Sequence, residues 1–196
     1  DDVIITATSG MTRLINKFQR ILGVKGNEKG IRPEGVRPVV FITHMEHHSN
    51  QTSWLETDVT VEVIQPDSSG LVDLNHLKEL LEAYQDRPLK IASVTGASNV
   101  TGIITPYREI AQLLHAAGGY CFVDFACSAP YVDIDMHPEK EGEHLDAVLF
   151  SPHKFLGGPS SAAVLVFNKE LYKRSVPDHP GGGTVDWTNP WGGHKY

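Results

Sequence analysis

The sequence predicts an α/β fold, a mostly parallel sheet with helices on both faces, and two patterns carry that expectation. Short β-branched runs alternate with stretches of helical period, as in α/β proteins. Five polar segments rich in Ser, His, Asn, Asp and Gly each follow directly on one of the apolar runs. In a parallel sheet such segments share one edge, where α/β folds place their ligands.

The elements follow in order. Val3–Ala7 reads as a strand, and Thr12–Leu22 as a helix with Leu14, Ile15, Phe18, Ile21 and Leu22 on one stripe. Gly23–Pro38 is punctuated by four glycines and two prolines and reads as a loop. Val39–Thr43 and Val59–Ile64 are strands, and Asp73 caps an amphipathic helix through Leu74, Leu77, Leu80 and Leu81. Leu89–Val94 is a strand. Thr105–Ala117 is a helix with Pro106 in its first turn and Gly118-Gly119 at its end. Tyr120–Asp124 and Ala147–Phe150 read as buried strands, and Ala162–Phe167 as a strand returning antiparallel.

Composition narrows the function. The 196 residues suffice for one domain with a real core, with 40% apolar and 21% charged residues. Acidic residues outnumber basic ones 24 to 17, a net charge of −7, which gives no general attraction for nucleic acid or anionic lipid. The runs Val39–Ile42 and Ala162–Phe167 are too short to cross a bilayer, and no charged-then-apolar leader opens the sequence. Cys121 and Cys127 sit in or beside one apolar segment, the pattern of reduced thiols in a cytoplasmic protein. Both ends read as cuts: the chain starts almost on a strand and stops after the Gly- and Pro-rich stretch Pro177–Gly193 with no final helix.

Each polar segment has a chemical use beside a plainer one. In Ser151-Pro152-His153-Lys154, followed by Gly157-Gly158, a lysine sits between a strand end and a glycine turn. It can attack an aldehyde if neutral, with Ser151 and His153 free to hold a phosphate; the plainer reading is a solvated turn. Asp124 ends a strand and can pair with a protonated pyridine nitrogen, or merely cap the next turn. His44-Met45-Glu46-His47-His48-Ser49-Asn50 suggests a metal site on His44, His47 and His48, but no second ligand cluster has matching spacing. An imidazole can instead stack on a flat ring. If that segment is extended, side-chain alternation turns His44 and His48 away from His47. Ser9-Gly10-Met11-Thr12 stands where backbone N–H groups bind an anion, or where Ser simply caps a helix. Asn99, in the turn Ser98–Gly102, can donate to a ligand oxygen.

On these segments the chain resembles the class V aminotransferase and cysteine desulfurase family, pyridoxal phosphate enzymes of fold type I. The resemblance runs from about Ile4 to Gly183 and is most specific at Glu46-His47-His48-Ser49-Asn50 and Ser151-Pro152-His153-Lys154. It implies the large, cofactor-binding domain of such an enzyme, in part, over residues 1–176. Residues 177–196 would be an interface segment leading to a C-terminal region beyond this sequence, with Gly181-Gly182-Gly183 near a dimer interface and the site's mouth.

Family roles carry over by position. Lys154 matches the lysine that attaches the cofactor, Asp124 the partner of its ring nitrogen, and His47 the ring stacked on it; these three are the implied catalytic residues. Asn99 matches the residue near the cofactor's phenolic oxygen. Gly10, Met11 and Thr12 match the phosphate turn, completed by Ser151 and His153. Cys127 stands where the family usually has a glutamine reaching the phenolic oxygen; a thiol is a weak partner, and Ser128 is the substitute at hand. The implied activity is a pyridoxal phosphate-dependent transformation of an amino acid, by a cytoplasmic homodimer that binds neither nucleic acid nor membrane. The alternatives are cysteine desulfurase or selenocysteine lyase chemistry, a non-catalytic cofactor-binding fragment, and the histidine metal site. The family's substrate-gripping arginine and persulfide cysteine lie in its C-terminal region, and Cys121, inside a predicted strand, is a poor substitute for that cysteine.

Overall fold

Parallel strands buried on both faces need apolar side chains in both directions, and β2 (Val39–Thr43) and β4 (Lys90–Thr95) are buried at every position. In the computed structural model, which describes residues 1–8, 10–26 and 32–196, they are interior strands of a seven-stranded sheet. The other strands are β1 (Asp2–Ala7), β3 (Thr60–Ile64), β5 (Tyr120–Asp124), β6 (Ala147–Phe150) and β7 (Ala163–Asn168). Their spatial order is β1-β7-β6-β5-β4-β2-β3. β3, β2, β4, β5 and β6 are parallel, and β7 runs antiparallel to β6, as its sequence suggests. β1 pairs antiparallel with β7 and so runs in the same direction as the parallel set.

Helices cover both faces. Alternation along β2 sends Val40 and Ile42 to one core, with Leu14, Ile15 and Phe18 of α1 (Met11–Ile21) and Trp54 of α2 (His48–Leu55). It sends Val39 and Phe41 to the other, with Leu77 and Leu81 of α3 (Leu74–Ala83) and Ile110 and Leu114 of α4 (Tyr107–Ala116). Asp73 caps α3 as expected, accepting from Asn75 N at 2.8 Å and His76 N at 3.2 Å.

The structure differs from the sequence reading in three places. α2 was not expected; its buried residues are Asn50, Ser53 and Trp54, so it has no apolar stripe to detect. Pro106 sits at the N-cap of α4 rather than in its first turn, because the backbone enters the helix only at Tyr107. Residues 177–196 contain a short hairpin of β8 (Trp187–Thr188) and β9 (His194–Lys195). Ser9 and residues 27–31, which the sequence reading placed in the phosphate turn and the first long loop, lie outside the described residues. Among the described residues no helix is long and apolar enough to cross a membrane.

Candidate active site

Because the strands run parallel, their carboxyl ends face one way, and a cavity of about 200 Å³ opens there. It lies beyond the last residues of β4, β5 and β6, between the starts of α1 and α2. Every residue singled out as catalytic or cofactor-binding lines it: Gly10, Met11 and Thr12 from the entry to α1; His47 from the entry to α2; Asn99 from the turn after β4; Asp124 and Cys127 at and after the end of β5; and Ser151, His153 and Lys154 after β6.

Asp124 ends β5 with only 6% of its surface exposed. Its Oδ1 accepts from Ala126 N at 2.7 Å. Burial raises its pKa to about 7, against the pull of the Ala126 N–H; the carboxylate of Glu46 adds to the rise and Lys154 opposes it. A carboxyl group poised this way calls for a cationic partner in the cavity.

Lys154 ends a 3-10 turn, Pro152–Lys154, that follows β6 after Ser151, and its N–H donates to Ser151 O at 2.9 Å. The turn closes only over glycine: a Cβ on Gly158 would overlap Pro152 O. The charge of Lys154 reaches Asp124, His47 and Cys127, so a single ammonium group acts on three walls of the cavity.

His47 is the N-cap of α2. Its Nδ1 accepts the Ser49 N–H at 3.2 Å and lies 2.7 Å from Ser49 Oγ, which leaves Nε2 as the protonated nitrogen of a neutral ring. Burial lowers its pKa, and the charges of His48 and Lys154 lower it further. The extended-chain expectation for this segment is corrected here. The backbone turns into a helix at His48, whose ring lies 4.1 Å from that of His47 at 34° instead of pointing away. His44 stays apart from the cavity, its Nε2 3.1 Å from Gly70 O. The three histidines therefore do not converge as ligands. Among the described residues the group of three with converging ligand atoms is His115, His144 and Asp146, elsewhere in the fold.

Gly10 caps α1 with φ 80°, a backbone state suited to glycine, and offers no side-chain acceptor to the first N–H groups of the helix. Cys127 Sγ donates to Ala97 O at 3.2 Å. Burial raises the pKa of its thiol, Asp124 raises it further, and Lys154 opposes both. Ser128, the sequence-level substitute for a glutamine contact, does not line the cavity; its buried Oγ faces Gly96 and has no hydrogen-bond partner.

Sequence reasoning missed Ser49, Thr95 and Ala126 in the walls, and the role of Glu46 beneath them. Glu46 Oε1 accepts from Thr43 Oγ1 at 2.6 Å, and its Oε2 from Asn50 Nδ2 at 2.9 Å. Asn50 in turn donates to Ser93 O at 3.0 Å and accepts from Trp54 Nε1 at 3.1 Å. This network joins β2, β4 and α2 under the cavity. Ser49 lay within a segment already noted, and Thr95 ends a strand. Ala126 acts through its N–H, for which residue type gives no signal.

The family model described as Aminotransferase class-V matches residues 8–193. The chain belongs to the class-V aminotransferase family. Among curated relatives in this family, a cysteine desulfurase of Haloferax volcanii is 32% identical over 80% of this chain and 35% of its own length. A cysteine desulfurase of Synechococcus elongatus is 32% identical over 90% of this chain and 26% of its own. The chain thus spans about a quarter to a third of the length of these relatives. The crystal structure of a cysteine desulfurase from Escherichia coli superposes with a TM-score of 0.74 at 24% identity, covering 99% of this chain and 45% of that one. That likeness is one of fold, and it agrees with the fold type I large domain expected from the family's sequence pattern.

Proposed function

We propose that this chain is the cofactor-binding part of a pyridoxal phosphate-dependent enzyme acting on an amino acid, of class V aminotransferase type. The observation that carries the reading is Asp124: a buried carboxyl group on the wall of a cavity that Lys154 also lines. The residues present fit the cofactor. Asp124 needs a cation, and a protonated pyridine nitrogen is one. The bare N–H groups at Gly10–Thr12, with Ser151 and His153, suit a dianionic phosphate. The neutral ring of His47 suits a stacked pyridine face, and Asn99 can donate to the phenolic oxygen.

Pyridoxal phosphate, when bound, supplies an electron sink for the pair left at a substrate's α-carbon. Lys154 Nζ would supply the primary amine for attachment and would take and return the proton of the substrate's α-carbon. Asp124 keeps the ring nitrogen protonated. The thiol of Cys127, held on Ala97 O, is a weak donor in place of an amide. In this reading residues 1–176 form the cofactor-binding domain, and residues 177–196 lead to the rest of a cytoplasmic homodimer.

Cysteine desulfurase chemistry is the second reading, favoured by the two relatives at 32% identity. Incubating the full-length protein with cysteine separates the two: alanine and sulfane sulfur mark a desulfurase, a 2-oxo acid marks transamination.

Borohydride reduction of the full-length protein, digestion and mass spectrometry test the central claim. A pyridoxyl label on Lys154 is expected. A label on Lys169 or Lys173 with Lys154 unmodified overturns it.

A further inference from the structure

Far from the cavity, at the opposite edge of the sheet, the last turn of α4 carries His115. Its Nδ1 lies 2.7 Å from Gly142 O and its Nε2 2.9 Å from Asp146 Oδ2. A carbonyl and a carboxylate both accept, so both ring nitrogens donate and the ring is an imidazolium. Asp146 Oδ2 also accepts from Cys121 N at 2.8 Å, which fixes the carboxylate to β5. We propose that His115 is a proton-controlled latch, whose charged ring bridges Gly142 and Asp146 and holds the segment 137–146 against α4.

Other charged groups surround this ring, and His137 in the same segment pairs with Asp2 Oδ2 at 2.7 Å. From α4, Arg108 donates to Glu143 O at 2.7 Å and to Asp135 O at 2.6 Å, and Gln112 Nε2 lies 3.5 Å from Glu141 O. Neither of these side chains changes charge near neutral pH. From the segment itself come His137, Lys140, Glu143 and His144, with Lys140 and Glu143 paired at 2.5 Å. Glu109 lies near Lys140. From β5 comes the buried thiol of Cys121. The ring of His144 is parallel to that of His115, 2° apart in plane and 3.7 Å between centroids. Burial and the charge of His115 hold its pKa down, against the pull of Asp146. For His115, burial opposes the charge, but the bonds to Asp146 and Gly142 outweigh it and raise the pKa.

The direction of the pH effect follows. A histidine whose pKa rises on folding stabilises fully below its unfolded value, and that contribution is lost as pH climbs through the folded one. The connection from β5 to β6 begins at Ala126 and Cys127 in the cavity wall and ends at the latch. Its order is therefore set at one end by protonation. The parallel rings also argue against a shared metal ion, which must lie in the plane of each ligating ring.

Two mass-spectrometric measurements on the full-length protein test the latch. Exchange of the imidazole C2 proton should place the pKa of His115 above 6.5. Amide exchange corrected for intrinsic rate, from about pH 6 to about pH 9, should show 137–146 losing about tenfold protection per unit of that shift. His115→Gln should abolish this pH step, and His144→Ala should keep it. If His115→Gln does not fold, the wild-type profiles and His144→Ala decide. A His115 pKa at or below 6.5, a pH step that survives in His115→Gln, or stoichiometric zinc at the cluster would overturn the proposal.

Discussion

Glu46 Oε1 accepts the main-chain N–H of Thr95 at 2.8 Å, tying the residue before the cap of α2 to the last residue of β4. The cap residue His47 and Thr95 both line the cavity, so one carboxylate beneath them sets the spacing of two of its walls. Burial raises the pKa of Glu46, and its hydrogen bonds to Thr43, Asn50 and Thr95 hold the rise in check.

Glu46→Ala leaves the N–H of Thr95 unpaired in buried surroundings and takes one of the two acceptors from the Asn50 amide, which keeps Ser93 O. The expected cost is about 2–4 kcal/mol, read as a fall in denaturant midpoint. Glu46→Gln keeps one acceptor and should recover about half of the loss. Equal stability of the alanine variant and wild type would contradict the network.

Asp124→Asn separates electrostatics from packing. In cofactor-free protein the raised pKa of Asp124, about 7, means the fold is stabilised while the carboxyl is protonated. That contribution is complete below about pH 4 and is lost as pH rises through about 7. Unfolding free energies from denaturant titrations between about pH 4 and about pH 8 should fall for wild type relative to Asp124→Asn, by roughly 2–4 kcal/mol in all. Parallel curves would refute the buried charge. With cofactor bound, turnover of the variant should drop by about 10²-fold or more while phosphate contacts retain the cofactor.

His47 caps α2, and in the proposed function its ring also stacks on the cofactor. Both His47→Phe and His47→Ala lose the Ser49 N–H acceptor, at about 1 kcal/mol each in thermal stability. Cofactor retention after dialysis should split them, because phenylalanine still stacks and alanine does not. His44→Ala, remote from the cavity, should match wild type. His48→Ala should fall between, since its ring rests on His47. If His44→Ala and His47→Ala lost cofactor equally, the stacking role would be wrong.

Gly158→Ala places a methyl group on Pro152 O, backbone against backbone, so the turn bearing Lys154 must open. Stability should fall by at least about 1–3 kcal/mol, and the yield of borohydride label on Lys154 should fall with it. A variant that melts and labels like wild type would show that the turn is not closed over this glycine.

The sequence by itself determined the class of the fold and the main contents of the site. Period-2 and period-3.6 patterns are local, and they marked β2, β4, β5, α1, α3 and α4 with small boundary shifts. The chemistry-bearing residues each follow a strand, and a parallel sheet must bring strand ends together; hence Asp124, Lys154, His47 and Asn99 share one cavity. Tertiary structure decided the rest. α2 is tied to β4 by Asn50, which donates to Ser93 O, and to α1 by Ser53 Oγ, which accepts from Gln19 Nε2, so no stripe announced it. The antiparallel pairing of β1 with β7 joins the two ends of the sheet's sequence, and nothing local encodes such a pairing. Glu46 and Ala126 matter through contacts with backbone groups, which residue type does not reveal. His115, Gly142 and Asp146 meet only because α4 packs across β4 and β5, so the charge on that imidazole is set by distances that a one-dimensional pattern does not contain.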